Sequence, residues 1–328
     1  MIYTTILIFF ISLLSTYWVK KTAIKRQLLD IPNHRSSHSV PIPRGGGLAI
    51  AIVWYVSLAI FFILGKIEAR LFWALLTGMI LSIVSFVDDL KSLSPKIRMG
   101  TQIITAILAL LALGGSRIVD LGFVQLDNIY VFTLLSIPFI VWFINLFNFL
   151  DGIDGYLGME GVFIFIALWF FTGNTVLLIF VAAILGFLIL NWPMPQAKIF
   201  CGDVGSTLIG FNVAVFAIYL QSTSQLSIVI PLILSSLFWF DATLTLFRRW
   251  RNGEKLSEAH RKHAYQRIVQ YGFSHRKTSY YALMINSIIF ILAFIAASNI
   301  KYILLFLILD ILMLWGIIKM IDRRKPFE

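Results

Sequence analysis

Five aspartates are the residues of this chain best suited to bind a divalent cation or a phosphorylated substrate. They occur in three separate segments, with Asp88 and Asp89 in SFVDDLKSLSPKIR, Asp151 and Asp154 in NLFNFLDGIDG, and Asp203 in KIFCGDVGS. Each segment lies at the end of an apolar run or in a short link between two runs. Carboxylate oxygens are ligands that Mg²⁺ accepts beside substrate phosphates. We therefore expect the three segments to meet at one face of the protein.

The first segment places two acids directly at the end of an apolar helix. Adjacent residues on a helix point about 100° apart, so Asp88 and Asp89 are expected to have different roles. Solvated helix-end acids are the alternative, although acids at a helix C-terminus oppose the helix dipole. Lys96 and Arg98 follow at the depth where the phosphate of an anionic lipid would lie, which makes both of them candidate phosphate ligands.

The second and third segments add polar groups and glycines. Asn145 and Asn148 precede Asp151, and an ordinary helix-linking turn could use DG twice but would not need these asparagines. In the third segment Asp203 stands between two glycines before an apolar run, so free N–H groups at the start of a helix could face phosphate. The alternative is that Asp203 is only an N-cap.

The fourth segment is a basic loop, residues 248–277. If SEAHRKHAYQRIV is helical, His260, His263 and Arg267 share one face, which suits a diphosphate. Zinc is the alternative for the histidine spacing, but the loop has no Cys and no convincing third ligand. Asp241, at the inner end of the preceding span, is expected to pair with Arg248 and its neighbours.

Membrane helices must position these residues, because 59% of the 328 residues are hydrophobic and only 13% are charged. This composition excludes a soluble globular fold. Uncharged runs of about twenty residues indicate helices that cross a bilayer, and the alternation of a transmembrane β-barrel is absent. The single Cys201 excludes an internal disulfide bond.

The uncharged runs also give the number of spans. Single spans are predicted at 1–19, 45–65, 71–87, 99–116, 128–150, 278–300 and 302–318. Two longer runs, 161–197 and 204–240, divide at the polar breaks 172–175 and 221–227. The pattern predicts an all-α polytopic membrane protein with about eleven transmembrane helices, in one integral membrane domain over residues 1–328.

The 27 basic residues give the orientation. Twenty-three of them fall in alternate loops and at the C-terminus, and only Lys66, Arg70, Arg117 and Lys301 fall on the other side. This asymmetry predicts an external N-terminus and a cytoplasmic C-terminus, and it explains the net charge of +11 without nucleic acid. A short external β-hairpin is predicted in SRIVDLGFVQLDNIYVF, with Val119, Leu121 and Phe123 on one strand.

The ordered set of motifs resembles one family, although no single motif is specific. The Asp-Asp pair, NxxNxxDGxDG, Asn-Trp-Pro with AKIFCGDVGS, and the basic loop are similar to the polyprenyl-phosphate N-acetylhexosamine-1-phosphate transferase superfamily (MraY/WecA-like). The resemblance runs from RSSHSVPIPRGGG at 35–47 to Lys277, and the ten or eleven spans of the family match the count. PRGGG and AHRKH are most similar to the WbpL-like branch that initiates O-antigen and capsule synthesis.

The resemblance implies a role for each candidate residue. Asp203 would bind Mg²⁺, with Mn²⁺ as the alternative ion and Asn148 as a second ligand. The nucleotide site would include Asp154, Asn191 and Phe200, with Phe200 stacking on uracil. The remaining candidates are His260, Arg261 and His263 at the diphosphate, Asp88, Asp89, Lys96 and Arg98 beside the lipid phosphate, and Asn145 and Asp151 in the same loop as Asn148.

The implied enzyme moves a sugar 1-phosphate from a UDP-N-acetylated sugar (UDP-GlcNAc, UDP-QuiNAc or UDP-FucNAc) to undecaprenyl phosphate, with release of UMP. The reaction would take place at the cytoplasmic face of the bacterial inner membrane and would initiate O-antigen, capsule or cell-wall glycan synthesis. A homodimer is left open. The alternative is a lipid-linked sugar flippase or ion-coupled transporter, which would need ionisable groups deep in the bilayer, such as Asp310 and Asp241.

Overall fold

A computed structural model describes residues 2–32, 40–115, 118–122, 124–192, 195–256, 258 and 260–327. Parts of the motifs above lie outside these residues: RSSHS of the segment 35–47, Ser116, Arg117 and Phe123 of the hairpin segment, the proline of Asn-Trp-Pro, and Ser257 and Ala259 of the basic loop. The described chain is mostly helical, with two small sheets.

The helices follow the chain in the order that the uncharged runs predict. The first seven are α1 (Ile2–Lys25), α2 (Gly46–Ile63), α3 (Ala69–Lys91), α4 (Pro95–Ala112), α5 (Ile129–Phe149), α6 (Tyr156–Thr172) and α7 (Val176–Asn191). The remaining six are α8 (Asp203–Ser222), α9 (Val229–Leu234), α10 (Ser236–Arg251), α11 (Ala264–Gln270), α12 (His275–Ser298) and α13 (Ile303–Arg324). Both polar breaks, 172–175 and 221–227, contain the end of a helix as expected, since α6 ends at Thr172 and α8 ends at Ser222.

Seven of the helices in the described part of the chain are long and apolar enough to cross a membrane, judged by length and composition. Two further apolar helices, α6 and α7, are shorter. The chain is therefore a polytopic helical membrane protein. Its centre is α8, whose apolar window is 94% buried, and which packs against α2, α3 and α5.

The run after α8 is interrupted where the sequence predicts one continuous span. The proline Pro231 has no N–H for a helical hydrogen bond, and α9 ends three residues later at Leu234. The carbonyl groups near the break find other donors: Ser235 Oγ donates to Pro231 O at 2.7 Å, and Trp239 Nε1 donates to Leu232 O at 2.7 Å. The break therefore leaves these backbone groups satisfied within an apolar surrounding.

Two antiparallel strand pairs lie in the links between helices. The predicted hairpin is present as β3 (Ile118–Asp120) and β4 (Gln125–Asp127), but β3 is shorter than expected, because Leu121 already belongs to the turn and donates to Val124 O. The second pair, β1 (Leu29–Asp30) and β2 (Ile42–Pro43), joins the two ends of the early loop.

Candidate active site

The ends of α3, α5 and α8 bring the predicted acids together. Asp88 is 8% exposed, its Oδ1 accepts a hydrogen bond from Leu93 N, and its Oδ2 lies 3.4 Å from a guanidinium nitrogen of Arg98. Asp89 faces another way, since its Oδ1 accepts from Asp203 N at 3.4 Å. The two adjacent acids thus make different hydrogen bonds, and their different roles stay a prediction.

Asn148 joins α5 to the first turn of α8. Its Nδ2 donates to Asp203 Oδ1 at 2.9 Å and to Ser206 Oγ at 3.0 Å. The residue that precedes α8 is Gly202, so Asp203 belongs to the first turn and is not the N-cap. The side chain of Asp203 is therefore directed towards α5 and is not used to cap its own helix.

Asp151 belongs to the same electrostatic cluster. Burial, together with the negative charges of Asp203 and Asp89, raises the pKa of Asp151 to about 8. Three carboxyl groups thus repel one another at this end of the helices. Such a cluster is stabilised by a proton or by a cation.

A cavity of about 240 Å³ opens beside these groups. Its polar lining comes from α3, α4, α5 and α8, and includes Asp88, Arg98, Asn145, Asn148 and Asp203. Gln102 also lines the cavity, and its side-chain amide exchanges hydrogen bonds of 2.7 and 3.2 Å with the side-chain amide of Asn145. Lys96, two residues before Arg98 in α4, is exposed and does not line this cavity. The lining combines acids, amides and one arginine, which suits a phosphorylated ligand.

Two glycines at the start of α2, Gly46 and Gly47, hold the segment that precedes α8. Gly46 N donates to Phe200 O and Gly47 N donates to Cys201 O, each at 2.8 Å. The two helices touch at Gly47 and Gly205, where a Cβ on either residue would overlap the other's backbone. Arg44, which precedes this contact, donates to the backbone carbonyl of Asp89. The half-buried Phe200 is therefore held by the backbone on both sides.

Asp154 and Asn191 lie away from the cavity and are buried among backbone groups. Asp154 Oδ2 accepts from Ala197 N at 2.9 Å, and its Oδ1 lies 3.2 Å from His275 Nδ1. Asn191 Oδ1 accepts from Gly155 N at 3.0 Å, while its Nδ2 donates to Ile199 O at 3.0 Å. In this structure both side chains hold the loop between α7 and α8 in place, and their contact with a nucleotide stays a prediction.

The expectation of a long helix in the basic loop is wrong. α11 begins only at Ala264, so His260 and His263 precede it and do not share a helical face with Arg267. The guanidinium of Arg267 is buried, and it donates to Asp322 Oδ1 at 2.7 Å and to Lys325 O at 2.9 Å. These bonds direct Arg267 towards the C-terminus.

The two histidines differ in environment. The His260 ring is half-buried and lies 4.8 Å from the His263 ring. Burial, together with the nearby His263 and Arg249, lowers the pKa of His260 to about 4. His263 is 2% exposed and stacks 6.4 Å from Phe149, a residue of the cavity lining. Arg261 adjoins His260, and its carbonyl accepts from Gln270 Nε2.

Asp241 does not pair with Arg248, contrary to expectation. Seven residues of helix separate their Cα atoms by about 10 Å, and the backbone N–H of Ala264 lies nearer, donating to both carboxylate oxygens of Asp241 at 2.9 Å. Arg248 instead binds Asp322 at 2.9 and 3.0 Å. Asp310, the other deep acid, is fully buried within α13.

Sequence reasoning missed Arg249. This guanidinium is 2% exposed and binds Glu254 Oε2 at 3.0 Å together with the carbonyls of Lys255, Leu256 and Glu258 at 2.7, 3.4 and 3.2 Å. It thereby shapes the turn that places Leu256 in the cavity lining. No local signal marks this residue, because Arg248 and Arg249 are alike in sequence and both side chains are largely buried.

The chain is similar to known proteins over most of its length. Residues 71–221, which carry Asp88, Asn148 and Asp203, match the model of glycosyl transferase family 4. Undecaprenyl-phosphate alpha-N-acetylglucosaminyl 1-phosphate transferases of Escherichia coli O157:H7 and Yersinia pestis are 32% and 31% identical to the chain. These alignments cover 82% and 83% of this chain and 77% and 78% of the relatives.

A further relative extends the similarity over nearly the whole chain. A Bacillus subtilis (strain 168) protein named "Probable undecaprenyl-phosphate N-acetylglucosaminyl 1-phosphate transferase" is 29% identical over 97% of this chain and 94% of its own length. The Escherichia coli and Yersinia pestis relatives are likewise similar to more than four fifths of this chain. The chain therefore belongs to glycosyl transferase family 4, in the MraY/WecA-like superfamily of polyprenyl-phosphate N-acetylhexosamine-1-phosphate transferases.

Proposed function

We propose that this protein transfers an N-acetylhexosamine 1-phosphate from a UDP-sugar to undecaprenyl phosphate and releases UMP. The observation that carries the proposal is the meeting of Asp88, Asp89, Asn148 and Asp203 beside one cavity that Arg98 also lines. The relatives are named as transferases of N-acetylglucosaminyl 1-phosphate to undecaprenyl phosphate, which supports this reaction. A lipid acceptor and a water-soluble donor both reach a site at the membrane surface.

The reaction is proposed to occur at the cytoplasmic face of the bacterial inner membrane. The segments with 23 of the 27 basic residues include 88–98, 191–203 and 247–277, and these segments contribute to the site or its surroundings. If the interrupted α9 and α10 are counted as one span and the short α11 is left out, the helices of the described residues correspond to eleven proposed spans. With positive loops inside, the N-terminus is external and the C-terminus is cytoplasmic.

The residues present fit a divalent cation. Asp89 Oδ2 is buried and has no hydrogen-bond partner among the described residues, and the repulsion among Asp89, Asp151 and Asp203 favours an added positive charge. No group of three or more His, Cys, Asp or Glu side chains poised for a metal occurs in the described chain. An ion held by one or two protein oxygens and completed by substrate phosphates is the arrangement usual for Mg²⁺.

We assign Asp203 and Asn148 as the protein ligands of Mg²⁺, with Mn²⁺ as the alternative ion. The ion, when bound, neutralises negative charge on the diphosphate. Arg98 is proposed to bind the lipid phosphate, which its position in the cavity lining beside Asp88 and its partial exposure support. His260 and Arg261 are placed in the loop proposed to contact the donor, where Arg261 supplies positive charge at neutral pH.

The transfer itself needs little proton chemistry. A phosphate monoester has a second pKa near 6, so the acceptor is largely dianionic at pH 7. One of its oxygens attacks the sugar-bearing β-phosphorus, a new P–O bond forms, and the bond to the bridging oxygen breaks so that this oxygen leaves with UMP. Positioning and charge neutralisation by Arg98 and the basic loop then account for the catalysis that protein residues supply.

The donor sugar is proposed to be compact. UDP-GlcNAc, UDP-QuiNAc and UDP-FucNAc differ by small groups that an apolar pocket separates by only about 1–3 kcal/mol. The cavity of about 240 Å³ and the AHRKH segment favour such a sugar over a muramoyl pentapeptide. O-antigen, capsule or cell-wall glycan initiation would follow from this choice of sugar.

The test is an assay of the purified protein with Mg²⁺, undecaprenyl phosphate and a panel of UDP-sugars. UMP release and a lipid-linked sugar diphosphate are expected with at least one of the three 2-acetamido donors, and no product with UDP-muramoyl pentapeptide. Efficient lipid I formation would contradict the sugar assignment. Absence of UMP with every donor, from protein that is folded and monodisperse, would contradict the reaction.

A further inference from the structure

A second, larger cavity of about 410 Å³ lies between α10, α11, α12 and α13, outside the site described above. Its lining is mostly apolar. The side chains that favour an apolar ligand are Ala282, Ile285, Leu314, Ile317 and Ile321. Asp241 also lines it, but its carboxylate is held by the backbone N–H of Ala264. The cavity therefore suits a hydrocarbon and offers little to a polar ligand.

The lining of the cavity reaches the lipid-facing surface. Tyr281 and Met320 line it and are 45% and 59% exposed, whereas Ala282 and Leu314 are 7% and 3% exposed. From Arg324 to Leu314 the lining spans ten residues of α13, which is about 15 Å along a helix. Apolar cavities stay dry. In a bilayer, the molecule at hand to fill such a cavity is the chain of a lipid.

Two basic residues, Arg324 and Lys277, lie near one end of this cavity. Arg324 belongs to the lining and lies 5.7 Å from the ring of Tyr271. Lys277 Nζ lies 4.2 Å from the ring of Phe273, which also lines the cavity. Both cations are exposed and belong to the last turn of α13 and the first turn of α12. Cations at this depth attract anionic lipid headgroups.

An aromatic wall separates this cavity from the first one. Tyr265 is 3% exposed, stacks 5.0 Å from Tyr156, and donates through its hydroxyl to Phe149 O at 3.2 Å. Tyr265 and Tyr156 line the second cavity, whereas Phe149 lines the first. A lipid in the second cavity thus lies behind the wall and not in line with Asp203.

We propose that this cavity binds one acyl chain of an anionic bilayer phospholipid, whose phosphate meets Arg324 and Lys277. The occupant is a structural lipid and not the polyprenyl acceptor. Because its binding site contains none of the groups proposed for transfer, the inference stands apart from the proposed function, and it is tested by lipid retention alone.

The experiment measures lipid retained by the full-length protein. The protein is reconstituted into nanodiscs of equal parts phosphatidylglycerol and phosphatidylcholine, transferred to detergent, and analysed by native mass spectrometry. We expect one phosphatidylglycerol per chain to persist. The double substitution Arg324→Gln with Lys277→Gln is expected to lower this retention roughly tenfold. The matched control is Lys319→Gln, an exposed cation of α13 outside the lining.

A second pair of variants tests the chain-binding part. Ala282→Trp fills the cavity and should abolish lipid retention. Met284→Trp, at a residue of the same helix that is 63% exposed, should leave retention unchanged. Thermal unfolding of each variant shows whether a loss of lipid is caused by a loss of fold. If Ala282→Trp fails to fold, the double substitution Arg324→Gln with Lys277→Gln still tests the proposal. Equal retention of phosphatidylcholine, or unchanged retention in the double variant, would overturn the proposal. Displacement of the bound lipid by equimolar undecaprenyl phosphate would overturn it too, in favour of the acceptor.

Discussion

Arg267 donates a 2.7 Å hydrogen bond to the carboxylate of Asp322, and this bond ties the basic loop to the last turn of α13. The same carboxylate accepts two bonds from Arg248, so that one acid holds both the first residue of the loop and α11. The ring of Phe327 then lies 5.2 to 5.6 Å from the cations of Arg248, Lys262 and Arg267. The C-terminal segment is thus part of the support of the candidate active site.

Asp322→Asn tests this support. The substitution weakens the bonds to two arginines, of which Arg267 is buried, and an unsatisfied buried group costs about 1–3 kcal/mol. We expect a lower unfolding temperature and a higher KM for the UDP-sugar. The control Asp127→Asn, at an exposed residue of β4, should change neither quantity. An unchanged KM with a lower unfolding temperature would limit Asp322 to a role in stability.

Asp203→Asn tests the proposed metal site. Asparagine keeps an oxygen within reach of Asn148, so the fold and the membrane insertion should persist, whereas one negative charge is lost beside the diphosphate. Removal of one preorganised electrostatic group typically costs about 10² to 10³ in rate. Turnover at saturating Mg²⁺, together with size-exclusion chromatography, measures both outcomes. Near-normal turnover would remove Asp203 from the set of metal ligands.

Arg249→Lys tests whether the turn at residues 254–258 positions the donor. Lysine retains the charge but lacks the planar fork that reaches Glu254 and three carbonyls at once. We expect KM for the UDP-sugar to rise roughly tenfold, because an unmet carbonyl costs about 1 kcal/mol or more. Arg251→Lys, at an exposed position in the same helix, is the control. Equal kinetics in both variants would contradict a positioning role.

The low pKa of His260 predicts a dependence of stability on pH. An unfolded histidine takes up its proton near pH 6.5, whereas His260 in the folded protein does so only near pH 4. Acidification from pH 6.5 to 4 therefore favours the unfolded chain, and stability is lost over that window. The unfolding temperature of His260→Gln should fall less than that of the wild type between pH 7 and 5. Parallel curves would contradict the assignment.

Gly47→Ala tests the contact between α2 and α8. The added Cβ overlaps the backbone of Gly205, so the start of α8 must shift, and the side chain of Asp203 shifts with it. We expect a large loss of transfer activity. Gly316→Ala is the matched control, because nothing lies within 4 Å of the Cβ added there and alanine favours a helix. Wild-type activity in Gly47→Ala would show that the contact is adaptable.

The helices were predictable because a bilayer imposes a length and an apolar composition on each span. The meeting of Asp89, Asn148 and Asp203 was also predictable, since alternate helix ends share a face. The interruption at Ser235 was not, because it depends on a proline within an otherwise apolar run and on the donor Trp239. Long-range pairing was equally hidden: no local pattern connects Arg267 with Asp322.

The roles that were hardest to predict from sequence are those of polar residues whose side chains bind backbone groups in the folded protein. Asp154 and Asn191 stand in motifs that resemble those of the family, yet their side chains are occupied by backbone groups of neighbouring loops. Arg249 shows the reverse case, where a residue that looks like one of many surface cations is buried. Burial is a property of the whole fold, and sequence spacing carries little of it.

The docking of Gly46 and Gly47 on Phe200 and Cys201 sets an order for biogenesis. The two partners are about 150 residues apart in the chain, and at 5–20 residues per second the ribosome needs roughly 8 to 30 s to produce the second after the first. Most of this interval follows the synthesis of α3, whose acids then still lack Asp203. The catalytic centre is therefore completed late in synthesis, and chains released before α8 emerges lack it altogether.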